Sequence, residues 1–358
     1  MADAAILAPP RPPSRRAQLA KRLFGSPLNA VLTLLVVWAV AAAAAPLLRW
    51  GVLDAVLLPA EPAACRDAKG ACWSFVVAKS GQILFGIYPI EARWRPMLVS
   101  AVLLLLLGHS LRPAAWRPAL AAIWAAALPA TLALMFGGFA GLSYVATTMW
   151  GGLPVTLLLT VTAVGGAFPL AVLLALGRRC GLPAIRSLCI LFIELTRALP
   201  LLSILFIASI LMPLLVPEWL LPDKFFRAMI ALLLFAAAYL AEVVRGGLQA
   251  LPPGQTEAAQ ALGLGYWQTQ RQVVLPQALA VVIPSLTNTV IVMIKNTSLV
   301  LVVGLFDLIS SGKAALADPE WSSPAMETYL FIAAIYFALC FGFGRFARAL
   351  ERHTRIPA

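Results

Sequence analysis

An all-α integral membrane protein of about eight transmembrane helices is the fold class this sequence predicts, and three observations predict it. Hydrophobic residues fill 61% of the 358 positions and charged residues 12%, about half of the roughly 25% charged residues in an ordinary soluble domain. The apolar residues gather into runs near the ~20 residues that a helix needs to cross hydrocarbon, at a mean hydropathy of +0.90; a barrel would show short alternating strands instead. The Lys and Arg residues behind the net charge of +12 stand mostly between those runs. The charge therefore reads as membrane topology and not as the basic face of a nucleic-acid-binding module.

The elements follow in order. Residues 1–27 form a basic tail with Arg11, Arg15, Arg16, Lys21 and Arg22, expected in the cytoplasm. The apolar run Leu28–Leu48 is too long for a signal-peptide core and has no clean small-residue cleavage site, so it is expected as an uncleaved first span. Residues 50–95 turn polar, with Pro59, Pro62, Gly70, Gly81 and Pro89, and read as an external loop. Cys65 and Cys72 lie inside it; they either close a small disulfide in an oxidising compartment or are unrelated thiols. Met97–Leu111 and Ala119–Met135 follow as spans, with Arg112 and Arg117 in a tight cytoplasmic turn. These three spans and the loop make an N-terminal extension over 28–150.

The remaining runs are Pro154–Leu176, Arg186–Val216, Ala228–Val244, Ala278–Leu308 with a polar interruption, and Met326–Phe346. Arg178, Arg179, Arg186, Arg245, Arg271, Arg345, Arg348, Arg352 and Arg355 lie beside the ends expected in the cytoplasm, whereas Phe136–Gly152 carries no charge. This bias puts both termini in the cytoplasm. The exception is the loop before Met97, which holds Arg66, Lys69, Lys79, Arg93 and Arg95 against Asp54, Glu61, Asp67 and Glu91. His109 and His353 are the two histidines and the five cysteines show no CxxC spacing, so no metal site, cofactor or catalytic residue is expected. Cys180, Cys189 and Cys340 read as packing residues.

The segment Leu251–Pro276, LPPGQTEAAQALGLGYWQTQRQVVLP, carries the strongest functional signal. Pro252, Pro253 and Gly254 break the preceding helix, and Thr256 is placed to cap a short one whose first-turn Glu257 suits the positive helix end. That helix is expected to run to about Leu262. Gly263 and Gly265 permit a sharp turn, and a second helix is expected from about Tyr266 to just before Pro276. Small Ala258, Ala259 and Ala261 let the first helix approach a partner closely. Two short helices of this kind suit docking into a groove of another protein, because a rigid contact transmits rigid-body motion.

This stretch resembles the EAA signature of bacterial ABC-importer permeases, with Glu257, Ala258, Ala259, Gly263, Val273, Leu275 and Pro276 in register. The flanks EVVRGGLQALPPGQ (242–255), GGLPVTLLL (151–159) and LPQAL (275–279) resemble the polar amino-acid branch of histidine/glutamine type. The length of the extension resembles the longer subunit of general L-amino-acid permeases. The resemblance implies a five-helix type I permease core over 151–350 and a coupling loop over 246–276 that seats an ATP-binding subunit. It also implies a second permease subunit as a heterodimer partner, a periplasmic amino-acid-binding protein, and a place in the lipid of the bacterial inner membrane. No GxxxxGK[ST] stretch is present, so hydrolysis belongs to a partner.

Ionisable and polar groups inside spans are functional candidates because hydrocarbon penalises them. Glu194 and Arg197 lie one turn apart before Pro200 and are expected to pair as a structural or gating ion pair. Glu242 and Arg245 have the same spacing, and interfacial snorkelling explains them. In Asn288–Ser298, the residues Asn288, Thr289, Lys295, Asn296, Thr297 and Ser298 interrupt an apolar run as a broken helix lining a cavity would. They are expected on the substrate path, with packing against the partner permease as the alternative. Relatives often carry aspartate where this chain has Asn296. Thr156, Thr160 and Thr162 are expected to bond their own helix backbone. The rival readings are a proton- or ion-coupled secondary transporter relaying through Glu194 and Lys295, and a membrane-embedded enzyme. The first leaves the Glu257 hairpin without a purpose, and the second lacks a GxSxG or HExxH constellation.

Overall fold

The computed structural model describes residues 14–57 and 61–354; Arg11, Pro59 and Arg355 lie outside the described residues. The chain divides into two units, Met1–Phe75 and Val76–Ala358.

In the first unit a ten-residue basic helix, Arg15–Phe24, precedes α1 (Pro27–Leu48), so part of the expected tail is helical. Ser26 caps α1 by accepting from the Asn29 N–H at 3.2 Å, and Pro27 fits the first turn, where its missing N–H costs nothing. None of the α1 residues is buried, as suits a helix that is apolar all round and has lipid as its solvent. Cys65 and Cys72 form a disulfide with Cα atoms 5.6 Å apart, which decides between the two readings of that pair. The Trp73 indole N–H donates to the Gly51 carbonyl at 2.8 Å, and the Ala71 N–H donates to Trp50 at 2.7 Å.

Among the described residues every regular element of the second unit is a helix. Its main elements are α2 (Trp94–Ser110), α3 (Pro118–Phe136), α4 (Gly152–Gly177), α5 (Pro183–Ala198), α6 (Leu201–Leu215), α7 (Lys224–Ala250), α8 (Gly254–Ala261), α9 (Ile283–Asn296), α10 (Leu308–Ala315) and α11 (Ala325–Thr354). Among the described residues six helices are long and apolar enough to span, α9 counted with its 3₁₀ continuation, and α5 with α6 makes a seventh. The 17 residues of α2 sit at the lower limit for a span, ~17 residues. All eight predicted runs are therefore helical, but two are interrupted.

The run Arg186–Val216 is not straight: α5 and α6 meet at 104°. Leu199 and Pro200 are both extended, because proline excludes the helical region for the residue before it and offers no N–H of its own. The run Ala278–Leu308 turns at Val282, just before Pro284, and then tightens to a 3₁₀ stretch over Thr297–Val303. Gly304 ends that stretch at φ +74°, a conformation that glycine adopts at no steric cost.

The core is built on small residues. Ala163, Ala167, Ala171 and Ala175 recur every fourth position along α4, none more than 3% exposed, and α7 answers with buried Ala228, Ala231, Ala236, Ala237, Ala238 and Ala241. Lipid gives apolar side chains no reason to leave it, so close backbone approach and dispersion hold such helices together. At the start of α7, Phe225 and Phe226 form an aromatic cluster with Phe136 and Trp150, the Phe136 and Trp150 rings 4.7 Å apart.

Three of the basic residues before Met97 have local uses. Arg95 is 3% exposed and donates to the Ser143 carbonyl at 2.7 Å and the Ser143 hydroxyl at 3.2 Å. Arg93 donates to the Tyr88 carbonyl at 3.3 Å, and Lys79 pairs with Asp318. The Tyr88 hydroxyl donates to the Met135 carbonyl at 2.8 Å, and burial pushes its pKa up, which keeps the donor proton in place. These bonds gather Lys79, Arg95, Ser143 and Asp318 toward one end of the bundle.

Candidate functional site: a docking hairpin and a polar cleft

Helix α8 begins three residues earlier than the sequence suggests. Pro253 stands at its N-cap and Thr256 lies inside the first turn, its N–H donating to the Pro253 carbonyl at 3.0 Å. Thr256 is therefore not the cap. Proline satisfies the geometry because the first N–H groups of a helix have no partner within it. The helix ends at Ala261, and Gly263 adopts φ +80° with its N–H donating to Gln260 at 2.9 Å; Gly265 has an ordinary negative φ.

The second helix does not stop before Pro276. It runs over 266–281, and the five-residue π turn Gln270–Val274 precedes the proline. A proline inside a helix leaves the carbonyl four residues back without its donor, and a π turn re-registers the ladder there. The hairpin is cross-tied: the Gln277 side-chain amide donates to the Gln255 side chain at 3.0 Å, and the Leu264 N–H to the Ala259 carbonyl at 3.2 Å.

Glu257, Ala258 and Gly263 are exposed while Ala259 is 3% exposed, so three of the four expected docking residues lie on the surface and the fourth packs inward. Beside them Leu262 is 82%, Trp267 63% and Tyr266 53% exposed. Reading the motif residues alone missed these three; the signal was apolar bulk in a segment otherwise polar. Behind the hairpin, Val274 and Ala278 are buried with Val244 and Leu248 of α7 and Ala175 and Leu176 of α4. A Cβ on Gly247 would lie 2.5 Å from the Ala278 carbonyl oxygen, so the two backbones are in direct contact.

One turn above that contact lies an ionic cluster. Glu194 and Arg197 do not bind each other: Glu194 pairs with Arg178 at 2.9 Å, and Arg197 lies 3.7 Å from Glu242. Glu242 also binds Arg178 at 3.3 Å and Arg245. Arg178, at the end of α4, competes better for Glu194 than a neighbour on the same helix does, and Glu242 is thereby more than a snorkelling residue. The Arg197 guanidinium lies 5.7 Å from the Tyr239 ring centroid, within cation–π range.

A cleft of about 280 Å³ opens beside this cluster, lined by Arg197, Tyr239, Glu242, Val243, Gly246, Val282, Ser285 and Thr289. The structure thus brings Arg197 and Thr289 together. Along α9, Ser285, Asn288, Val292 and Lys295 are exposed, and Thr289 and Asn296 are half-buried. Spacings of three and four put all six on one face, opposite the buried Ile283, Val290, Met293 and Ile294. The polar stripe is a continuous α-helical face and not an unwound segment.

Ser298 is half-buried with its hydroxyl donating to the Lys295 carbonyl at 2.8 Å. Thr297 is 1% exposed and donates to the Ile294 carbonyl at 2.8 Å, so it points into the core and leaves the path-lining set. Thr156 and Thr162 bond their own helix at 3.2 and 2.6 Å, as expected, while the buried Thr160 hydroxyl has no partner.

A second buried polar group went unread in the sequence. Asp307 is fully buried and accepts from the Ile309 and Ser310 N–H groups at 3.1 and 2.9 Å, from the Ser310 hydroxyl, and from Tyr336 of α11 at 3.2 Å. The Thr156 hydroxyl accepts from the Leu308 N–H at 3.1 Å, tying α4 to α10. An acidic residue directly before an apolar helical run was the available cue.

Residues 167–356 match the family described as binding-protein-dependent transport system inner membrane component. An inner membrane amino-acid ABC transporter permease protein of Escherichia coli K12, YhdY, is 44% identical over 96% of this chain and 95% of its own length. The glutamate/glutamine/aspartate/asparagine transport system permease protein BztC of Rhodobacter capsulatus is 35% identical over 94% of this chain and 92% of its own. Among solved structures, an amino acid ABC transporter crystallised with histidines shares 32% identity over 55% of this chain and 90% of its own, at a TM-score of 0.48.

Proposed function

The chain belongs to the family of binding-protein-dependent transport system inner membrane components, and on that premise we propose that it is the permease subunit of an amino-acid importer whose motion is driven by ATP-binding subunits docked on the α8 hairpin. It is a multi-span membrane protein and a transporter component, not an enzyme. What supports amino acids as cargo is the identity over nearly full length to the two permeases named above. The single observation that carries the mechanism is the cross-tied hairpin, with Leu262, Tyr266 and Trp267 exposed on it and a buried apolar cluster joining it to α7 and α4.

The reading assigns roles as follows. Glu257, Ala258, Leu262, Tyr266 and Trp267 form the face that meets the ATPase, and Ala259 and Gly263 set its shape. When the ATPase subunits close, the 266–281 helix moves with them, and the Gly247–Ala278 backbone contact passes that movement to α7. Glu242, on the same helix, holds Arg178, Arg197 and Arg245 while the inward path is closed. The stripe Asn288, Thr289, Lys295 and Asn296 faces a second permease subunit, and the path runs between them. Polar groups at membrane depth require such a water-filled or protein-lined partner face. An external binding protein delivers substrate. The hairpin and the arginine-rich helix ends lie in the cytoplasm, with the extension over 28–150 preceding the permease domain over 151–350.

The test is recovery of a P-loop ATPase with the tagged chain from membranes, together with ATP-driven amino-acid uptake after reconstitution. Glu257→Lys and Trp267→Ala are expected to lose the ATPase and the uptake together. Uptake by this chain alone under a proton gradient, or ATPase recovery indifferent to both substitutions, would overturn the reading.

A further inference from the structure

We infer that the groove between α2, α3, α4, α9 and α11 binds one anionic phospholipid, its acyl chain lying along the groove and its phosphate held among Arg112, Arg117, Arg345 and Arg348. The groove has a volume of about 720 Å³ and is walled by Leu107, Trp124, Leu128, Val161, Val290 and Phe343, within the ~300–1,000 Å³ of sites that take small organic ligands. Its wall asks for hydrocarbon. The Ser110 hydroxyl at one end is already engaged, accepting from the Trp124 indole N–H at 2.9 Å and donating to the Leu106 carbonyl at 2.7 Å. Thr160 also lines the groove, its hydroxyl buried and without a hydrogen-bond partner. Gly108, Gly165 and Gly342 line the groove with open space where a Cβ would stand, so their bareness leaves room instead of serving contact between helices.

The mouth has the complementary charge. The lining ends at Leu111, which caps α2, and at Phe343 on α11, and the Trp116 and Phe346 rings meet there at 6.0 Å. That contact brings the turn carrying Arg112 and Arg117 to the helix end carrying Arg345 and Arg348. All four arginines are exposed, and none makes an ion pair among the described residues. The one acid on that end of α11 is Glu351, beyond Arg348. An apolar slot opening at membrane depth under four unneutralised guanidinium groups fits a lipid with a net negative headgroup, since arginine grips phosphate through paired N–H donors.

The experiment is native mass spectrometry of the purified transporter complex titrated with phosphatidylglycerol or phosphatidylcholine bearing the same palmitoyl and oleoyl chains. One phosphatidylglycerol per copy of this chain is expected to bind at least about tenfold tighter than phosphatidylcholine. R112Q/R117Q/R345Q/R348Q is expected to reduce phosphatidylglycerol to the phosphatidylcholine level. G108L/G342L, which fills the groove where no atom stands, is expected to abolish both at unchanged helix content. Equal binding of the two lipids by the unsubstituted protein, or phosphatidylglycerol binding indifferent to either variant, overturns the inference. So does efficient cross-linking of V36C to G108C, which would make the chain's own first span the occupant.

Discussion

Glu242 is a carboxylate serving three guanidinium groups, and among the described residues Glu194 alone shares the load. Removing its charge leaves Arg197 and Arg245 without a carboxylate and Arg178 with Glu194 alone. Glu242→Gln is expected to lower unfolding stability by about 1–2 kcal/mol, at the modest end for hydrogen bonds to charged groups because the cluster keeps some access to solvent. Thermal unfolding in detergent measures this. The same substitution is expected to raise ATP hydrolysis in the absence of substrate, read in the reconstituted complex.

At the other end, the hydrogen bond from Lys79 and then the Glu320 N–H hold the Asp318 carboxyl below the usual carboxylate range. A depressed acid stabilises the folded state above its unfolded pKa, and that contribution disappears as pH falls through the folded one. Amide protection around 316–321, taken relative to the unfolded-chain exchange rate at each pH, is therefore expected to be unchanged from pH 8 to about 5 and to fall below the ordinary aspartate pKa of about 3.9. Asp318→Asn should be less protected at neutral pH and lose the acid step; an identical acid step in that variant would exclude Asp318 as its origin.

Elements here are joined by residues too small to interdigitate. Ala167 lies fully buried in the α4 ridge against α7, so Ala167→Leu forces the helices apart and is expected to cost about 1–3 kcal/mol. Ala259, buried under the hairpin, predicts a different result. Ala259→Leu tilts α8 on the 266–281 helix, so ATPase recovery should fall several-fold while the thermal midpoint of the membrane helices stays in place. A midpoint shift as large as that of Ala167→Leu would place Ala259 in the main core instead.

The ten residues from Tyr266 to Leu275 look like one helix ended by proline, yet the π turn Gln270–Val274 carries the helix through Pro276. Under the proposed function, that continuity makes the hairpin a lever. A helix that stopped at the proline would leave it a hinged flap.

For the molecule as a whole, the lever runs from the exposed hairpin through Val274 and Ala278 to Val244 and Leu248 of α7, and up that helix to Glu242 and the cleft that holds Thr289. Coupling along such a chain needs packed contacts with two discrete arrangements. A disulfide between Q255C and Q277C, which replaces a 3.0 Å side-chain hydrogen bond across the hairpin, is expected to leave transport intact because the hairpin moves as one body. Loss of transport in the oxidised form, restored by reductant, would mean that the hairpin must flex internally.

Composition and hydrophobic run length were enough to read the membrane as solvent, the helices and most of their order, because every backbone polar group in hydrocarbon has to be satisfied within its own helix. The hairpin was legible from the residues that break and turn it, Pro252, Pro253 and Gly263. The partners of charged groups were not. Spacing along one helix suggested Glu194 with Arg197, but which carboxylate meets which guanidinium depends on where α4, α5 and α7 end relative to one another, and Arg178 enters from a different helix. Likewise the 104° turn at Pro200, the inward rotation of Thr297 and the burial of Arg95 and Asp307 follow from packing between segments far apart in the chain. Local sequence determines what a segment can form; the surfaces that it must share with its neighbours decide where its side chains point.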